Sequence, residues 1–173
     1  MSVDKATRRP TLLPFVLTLG IILLDQFTKL LIIKNIPLNS YRRLLNDFVW
    51  IVHARNLGIA FSIGDGFPEL ARRILFILLP LIVMVFVVIY YLRGSDLTLG
   101  MRWTMAGILG GGLGNLVDRI GRPLGVVDYL SVKFYGIFGL ARFPAFNVAD
   151  SSIVVSGILL VFLFILQERR NRE

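Results

Sequence analysis

The chain contains no cysteine and a single histidine, His53, among its 173 residues. Disulfide frameworks, thiolate chemistry and Cys-ligated metals are thereby excluded, and so is a His-rich metal site. A Ser-His-Asp triad would have only His53 to draw on, and no Gly-x-Ser-x-Gly turn is present to supply its serine. No G-x-G-x-x-G occurs, so the glycines do not form a nucleotide loop. Charge is sparse, with 11 acids against 19 Lys and Arg and a net charge of +8. No basic cluster comes with a soluble fold to present it, so nucleic acid is not an expected partner. Internal repeats and low-complexity tracts are also missing.

What is there is apolar. Hydrophobic residues make up 55% of the chain, the mean hydropathy is +0.74, and these residues come in blocks. Leu12 to Ile33 is long enough for a helix through a hydrocarbon core of roughly 30 Å, and too long for a signal-peptide core. Ile74 to Leu92 holds 19 residues without a charge. Two further blocks run from about 101 to 120 and from about 148 to 166. The expected fold is mainly α: one integral membrane domain over residues 1–173 with four transmembrane helices. Two extracytoplasmic segments, about 34–73 and 121–147, lie between spans. Asn46 to Ile63 is aromatic and β-branched, broken by Asn56 and Gly58, which predicts a small β-sheet at the membrane surface. Phe67-Pro68-Glu69 predicts a helix start with Pro in its first position, hence a short interfacial helix. Pro80 predicts a kink in the second span. Gly107/Gly111 and Gly110/Gly114 are small-xxx-small pairs that admit a close neighbour helix. The ends are basic (Lys5, Arg8, Arg9; Arg169, Arg170, Arg172), which places both termini in the cytoplasm.

Charged groups in such a chain are costly. One at the centre of a span costs about 2.5–3.5 kcal/mol on insertion scales. Asp25 precedes Lys29 by four residues in the first span, the favourable order for a helical ion pair. Asp118 is followed by Arg119 and, one turn on, by Arg122. Both sets read as structural pairs that brace a bundle. Gly111, Asn115 and Asp118 share one face of the third span, so Asn115 and Asp118 should face the bundle together. Asp128 sits in the apolar run Val126-Val127-Asp128-Tyr129-Leu130 without a base nearby. Asp150 opens the fourth span, where a helix N-cap is the plain structural reading. Two carboxylates at one site can hydrolyse a peptide bond. They cannot both ionise at close range, so one carries the proton that polarises the carbonyl while the other activates water. That chemistry needs neither metal nor cofactor. Spacing alone does not establish that Asp128 and Asp150 meet.

Five segments together resemble signal peptidase II, the bacterial lipoprotein signal peptidase. They are Asp25-Gln26-Phe27-Thr28-Lys29; Asn56-Leu57-Gly58-Ile59-Ala60-Phe61; Gly112-Leu113-Gly114-Asn115-Leu116-Val117-Asp118-Arg119; Val126-Val127-Asp128-Tyr129; and Phe146-Asn147-Val148-Ala149-Asp150-Ser151. The resemblance runs in order from about residue 20 to 155, and Ile59 stands where the family has a small residue. It implies an aspartyl endopeptidase of the bacterial cytoplasmic (inner) membrane. Its substrate would be a prolipoprotein carrying a diacylglyceryl group, cut before the lipidated cysteine. Asp128 and Asp150 would be the catalytic dyad. Asn56, Gly58, Asn115, Arg119 and Asn147 would bind substrate or support the site, and Asp25, Lys29 and Asp118 would brace it. Prolipoproteins and membrane lipids are the implied partners, and a monomer is expected. A lipid-anchored substrate arrives by lateral diffusion, so the site should lie near the extracytoplasmic bilayer face. An exposed strand edge in Asn46 to Ile63 is expected to bind the extended signal peptide.

Two other readings use the same residues. A small proton-coupled transporter would bury acids as a relay, and an assembly factor would use no catalytic acid. Ser62-Ile63-Gly64-Asp65 is a weak echo of a Gly-x-Gly-Asp protease motif, without its first Gly. His53 is expected to hydrogen-bond within the surface sheet, and Ser151 and Ser152 to satisfy the start of the fourth helix.

Overall fold

Every apolar block becomes a helix in the computed structural model, which describes residues 11–58, 64 and 66–172. The basic residues Lys5, Arg8 and Arg9, and Ile59 to Ile63 and Asp65, lie outside the described residues. The long helices are α1 (Phe15–Asn35), α3 (Leu79–Arg93, preceded by the short α2, Glu69–Arg73), α4 (Leu99–Gly121) and α5 (Val148–Arg172). Among the described residues, three helical stretches are long and apolar enough to cross a membrane: Phe15–Asn35, Glu69–Arg93 and Val148–Arg172. The remaining expected span, the third in chain order, is α4, a long helix but less apolar. Its position explains this. α4 packs against α5 and α1, and also against α3, so most of its residues face protein, and it carries glycines, Arg102, Asn115 and Asp118 inward. The other three present apolar side chains outward, among them Leu23, Phe86 and Phe162.

The glycines of α4 divide between two neighbours. A side chain at Gly107 or Gly111 would run into α5, at Ser156 and at the Ala149 carbonyl respectively. One at Gly110 or Gly114 would meet α1, at Ile21 and Asp25. The two small-xxx-small rows are therefore one groove for each neighbouring helix, where backbones come close enough for dense packing.

The expected interfacial helix is not a separate element. Pro68 sits at the N-cap, one position before the first helical residue, and α2 runs through a π-turn, Ile74–Leu78, into α3. Pro80 is the physical reason for that turn. It has no N–H to give the carbonyl four residues back, and its ring crowds that carbonyl. The wider π-turn absorbs the mismatch. Arg102 then locks α3 to α4 by donating to the carbonyls of Tyr91 and Gly94 at the end of α3, where the helix dipole favours a cation.

The sheet has three antiparallel strands in the order β1 (Tyr41–Leu44), β2 (Val49–Asn56), β3 (Val126–Val132). It differs from the expectation in two ways. The hairpin turn falls at 45–48, with Leu45, Asn46 and Asp47 at positive φ, and Asn56 ends β2. The third strand comes from the second extramembrane segment, and it carries Asp128. β2 is thus the central strand. The open edge of the sheet belongs to β1, because β3 is partly covered by backbone bonds to Phe143 and Phe146. The expected substrate edge within Asn46 to Ile63 is largely paired. Val127 and Tyr129 pack on Ile32 and Ile36 at the end of α1, and the Tyr129 hydroxyl donates to Thr28 Oγ1 at 2.8 Å.

Candidate active site

The site begins with a register shift. Ile51 faces Leu130 and Ala54 faces Asp128, so β2 uses one residue more than β3 between these pairs. An extra residue reverses which face the following side chains occupy. Asn56, opposite Val126, therefore comes diagonally onto the face of Asp128, and its Nδ2 donates to Asp128 Oδ2 at 3.1 Å. Gly58 N–H donates to Asn56 Oδ1 at 3.0 Å. A backbone N–H can only donate, so this bond fixes which end of the Asn56 amide faces Asp128.

Asp150 arrives from the other side. Asn147, immediately before α5, accepts from the Asp150 N–H at 2.8 Å, and Asp150 Oδ2 accepts from the Asn147 N–H at 3.0 Å. This is a reciprocal capping box. The cap is Asn147, three residues before Asp150, so the reading of Asp150 as N-cap is corrected. With its Oδ1 committed to the helix start, Asn147 turns Nδ2 toward Asp128 Oδ1, 2.8 Å away. One asparagine thus contacts both acids. Asn115 Nδ2 donates to Asp150 Oδ1 at 2.7 Å, while Asn115 Oδ1 accepts from Lys29 Nζ at 2.9 Å and from Asn147 Nδ2 at 3.2 Å. Lysine has no acceptor, so Lys29 orients Asn115 as Gly58 orients Asn56.

Beneath this layer lies a fully buried ion cluster. Asp25, Lys29 and Asp118 are each 0% exposed. Lys29 Nζ is 2.7 Å from Asp25 Oδ2 and 3.0 Å from Asp118 Oδ2. Arg122 also bonds Asp118. The remaining carboxylate lone pairs are used: Ala149 N–H donates to Asp25, Val127 N–H and Gln26 Nε2 to Asp118. The expected brace is therefore one cluster across α1 and α4, with Lys29 as the shared cation. Its bonds reach the peptides beside both acids, Val127 next to Asp128 and Ala149 next to Asp150. Gln26 also donates to the Gly114 carbonyl; its amide beside Asp25 is the one sequence signal of this role, and it is not among the expected site residues.

Asp128 and Asp150 line one cavity of about 560 Å³ with Asn56, Asn115, Arg119 and the segment Phe143 to Phe146. Asp128 is 5% exposed. Burial, then the negative charge of Asp150, push its carboxyl up to about 6, against smaller opposing effects of the Asn56 and Asn147 hydrogen bonds. Arg119 reaches the cavity wall and lies over the Phe76 ring, 5.5 Å from its centre. Of the expected site residues, Asn56, Asn115, Asn147 and Arg119 come together around the two acids, with Gly58 one bond behind. His53 lies apart: its Nδ1 is 2.8 Å from the Ile36 carbonyl at the end of α1, not bonded across the sheet. Ser151 bonds the Asn147 carbonyl, whereas Ser152 crosses to the Gly107 carbonyl of α4.

A lipoprotein signal peptidase of Treponema denticola is 46% identical over 161 residues, covering 93% of both chains. That of Treponema pallidum is 47% identical over 150 residues, 86% of this chain and 81% of its own. A bacterial membrane enzyme solved by the in meso method at 2.3 Å superposes with a TM-score of 0.79 at 25% identity, covering 95% of this chain and 94% of its own. A second, at 1.9 Å, gives 0.76 at 24% identity over 91% and 96% and shares the fold. These peptidase relatives leave the transporter reading without support. The signal peptidase (SPase) II family model matches residues 17–166, and the chain belongs to that family.

Proposed function

We propose that this protein is a membrane aspartyl endopeptidase that removes signal peptides from prolipoproteins, with Asp128 and Asp150 as its catalytic pair. The observation that carries the reading is the convergence of these two carboxylates, from β3 and α5, on one cavity and on one asparagine, Asn147. Asp128, its carboxyl raised by burial and by Asp150, is the acid that donates a proton to the scissile carbonyl. Asp150, oriented by Asn115 and the Asn147 N–H, draws a proton from water as that water attacks the carbonyl carbon. The tetrahedral intermediate collapses with proton transfer to the leaving nitrogen, giving a signal peptide with a new carboxylate and a new amino terminus on the mature protein.

In this reading α4 also crosses the bilayer, making four spans in all, residues 1–173 form one domain, and both termini face the cytoplasm. The sheet and the dyad then lie near the extracytoplasmic face of the inner membrane, and the protein acts as a monomer. The signal peptide lies extended between Asn56 and the Phe143 to Phe146 segment. The diacylglyceryl chains of the cysteine after the cut stay in the bilayer. Asn56, Asn115, Asn147 and Arg119 hold substrate and dyad. The test is cleavage of a diacylglyceryl prolipoprotein peptide by purified protein. Asp128→Asn and Asp150→Asn should each lower the rate by at least about 10²-fold while staying folded. Full activity in either variant removes that residue from the mechanism.

A further inference from the structure

A second cavity, about 760 Å³, lies beside the first between the start of α2 and the end of α4. Its rim carries four guanidinium side chains, Arg72, Arg73, Arg119 and Arg122, against one carboxylate, Glu69. Glu69 is taken by Arg73, at 2.7 Å, and Arg122 by Asp118. Arg72 has its Nε buried without a hydrogen-bond partner. Arg55, at the end of β2, has the same feature, and it lies near enough to Arg122 and to Asp118 to feel both charges, of which Arg122 is the stronger. Buried donors without partners are uncommon in native structures, and each needs a reason. Like charges held together call for an anion with several acceptor oxygens, which arginine forks fit. Much of the remaining lining is apolar: Phe76 and Ile77, one turn on from Arg72 and Arg73, with Leu81 and Ile120. Leu81 and Ile120 are exposed along the α3–α4 flank.

We propose that this groove binds an anionic glycerophospholipid, with its phosphate among Arg55, Arg72 and Arg122 and an acyl chain along Phe76, Ile77 and Leu81. A lipid and not a free phosphate is specified because the apolar wall continues from the arginine rim down the outside of a helix apolar enough to cross the membrane. The proposal rests on the membrane placement given above. Because Arg119 lines both cavities, a bound lipid would sit directly beside the dyad, where a lipid-anchored substrate must also arrive.

The test is lipid retention by the purified full chain in neutral detergent, read by native mass spectrometry. The probes are phosphatidylglycerol, phosphatidylcholine, diacylglycerol and free glycerol phosphate. Phosphatidylglycerol should be retained about tenfold or more over phosphatidylcholine and diacylglycerol, and Arg55→Gln with Arg72→Gln should remove that preference. Both arginines lie outside the catalytic machinery, so the variant should keep its peptide cleavage, which also reports its folding. Should the double variant not fold, the wild type decides: the preference must shrink as salt rises from about 50 to 500 mM. Equal retention of the two phospholipids, or an undiminished preference in a folded double variant, overturns the site. Glycerol phosphate binding as tightly as phosphatidylglycerol overturns the lipid assignment. Cleavage and retention are read separately. Lipid selectivity without cleavage sinks the peptidase reading alone, and cleavage without selectivity sinks this one alone.

Discussion

Replacing Lys29 with methionine removes the one cation shared by two carboxylates. Lys29, Asp25 and Asp118 are all 0% exposed, at 2.7 and 3.0 Å. Asp118 keeps Arg122, but Asp25 keeps only neutral donors, the Ala149 N–H and Gln26. Breaking a buried pair by deleting one partner costs about 3–5 kcal/mol, because the orphaned charge stays desolvated. For a chain of this size that corresponds to a fall in Tm of about 6–20 °C. Thermal unfolding in detergent, followed by the fluorescence of Trp50 and Trp103, measures it. The double variant Lys29→Met, Asp25→Asn separates charge from packing. It removes the orphaned carboxylate while leaving an oxygen for the Ala149 N–H, and should recover about 2 kcal/mol or more. Cleavage should not recover fully with it, because Asn115 has lost the shorter of the two donor bonds, from Lys29 and from Asn147, that fix its amide toward Asp150. A single variant within about 1 kcal/mol of wild type, or a double variant no more stable than the single, would refute the idea of a shared counter-ion.

Other outcomes follow from the same geometry. The Asp128 carboxyl stands at about 6 in the folded protein against an ordinary 3.8, so the folded state binds the extra proton between those values. Stability should fall as pH rises from about 4 to about 6, by at most about 3 kcal/mol, and stay level above. Asp128→Asn should flatten that dependence, measured by unfolding across pH. Gly111→Val should disrupt α4–α5 packing, because its side chain would enter the Ala149 carbonyl and Ile153. A loss of about 2 kcal/mol or more is expected, with lowered activity because Ala149 adjoins Asp150. A chain without cysteine allows site-specific thiol labelling. A membrane-impermeant reagent on intact cells should label Leu124→Cys, and should label Ser95→Cys only after permeabilisation; the reverse pattern would invert the topology.

The helices and the acids were legible in the sequence because each follows from local chemistry. An uncharged run such as Ile74 to Leu92 has no favourable state in water, and an aspartate in an apolar run such as Val126 to Leu130 is too costly to be incidental. The glycine rows of α4 announced close helix contacts, because only a missing side chain permits them. The sequence could not say which row meets which helix, nor that α4 is the central one. Nor could it show that the segment after α4 supplies β3, since strand pairing joins Asn56 to Val126 across a long stretch of chain. A single extra residue in β2 decides that Asn56 faces Asp128, and such register is a property of the paired strands, not of either one. The roles of the asparagines also depend on tertiary structure. Their amides are symmetric in shape and differ only in which end donates. Gly58, Lys29 and the first turn of α5 each remove that ambiguity by offering a donor that cannot accept, and only folding brings those donors within reach.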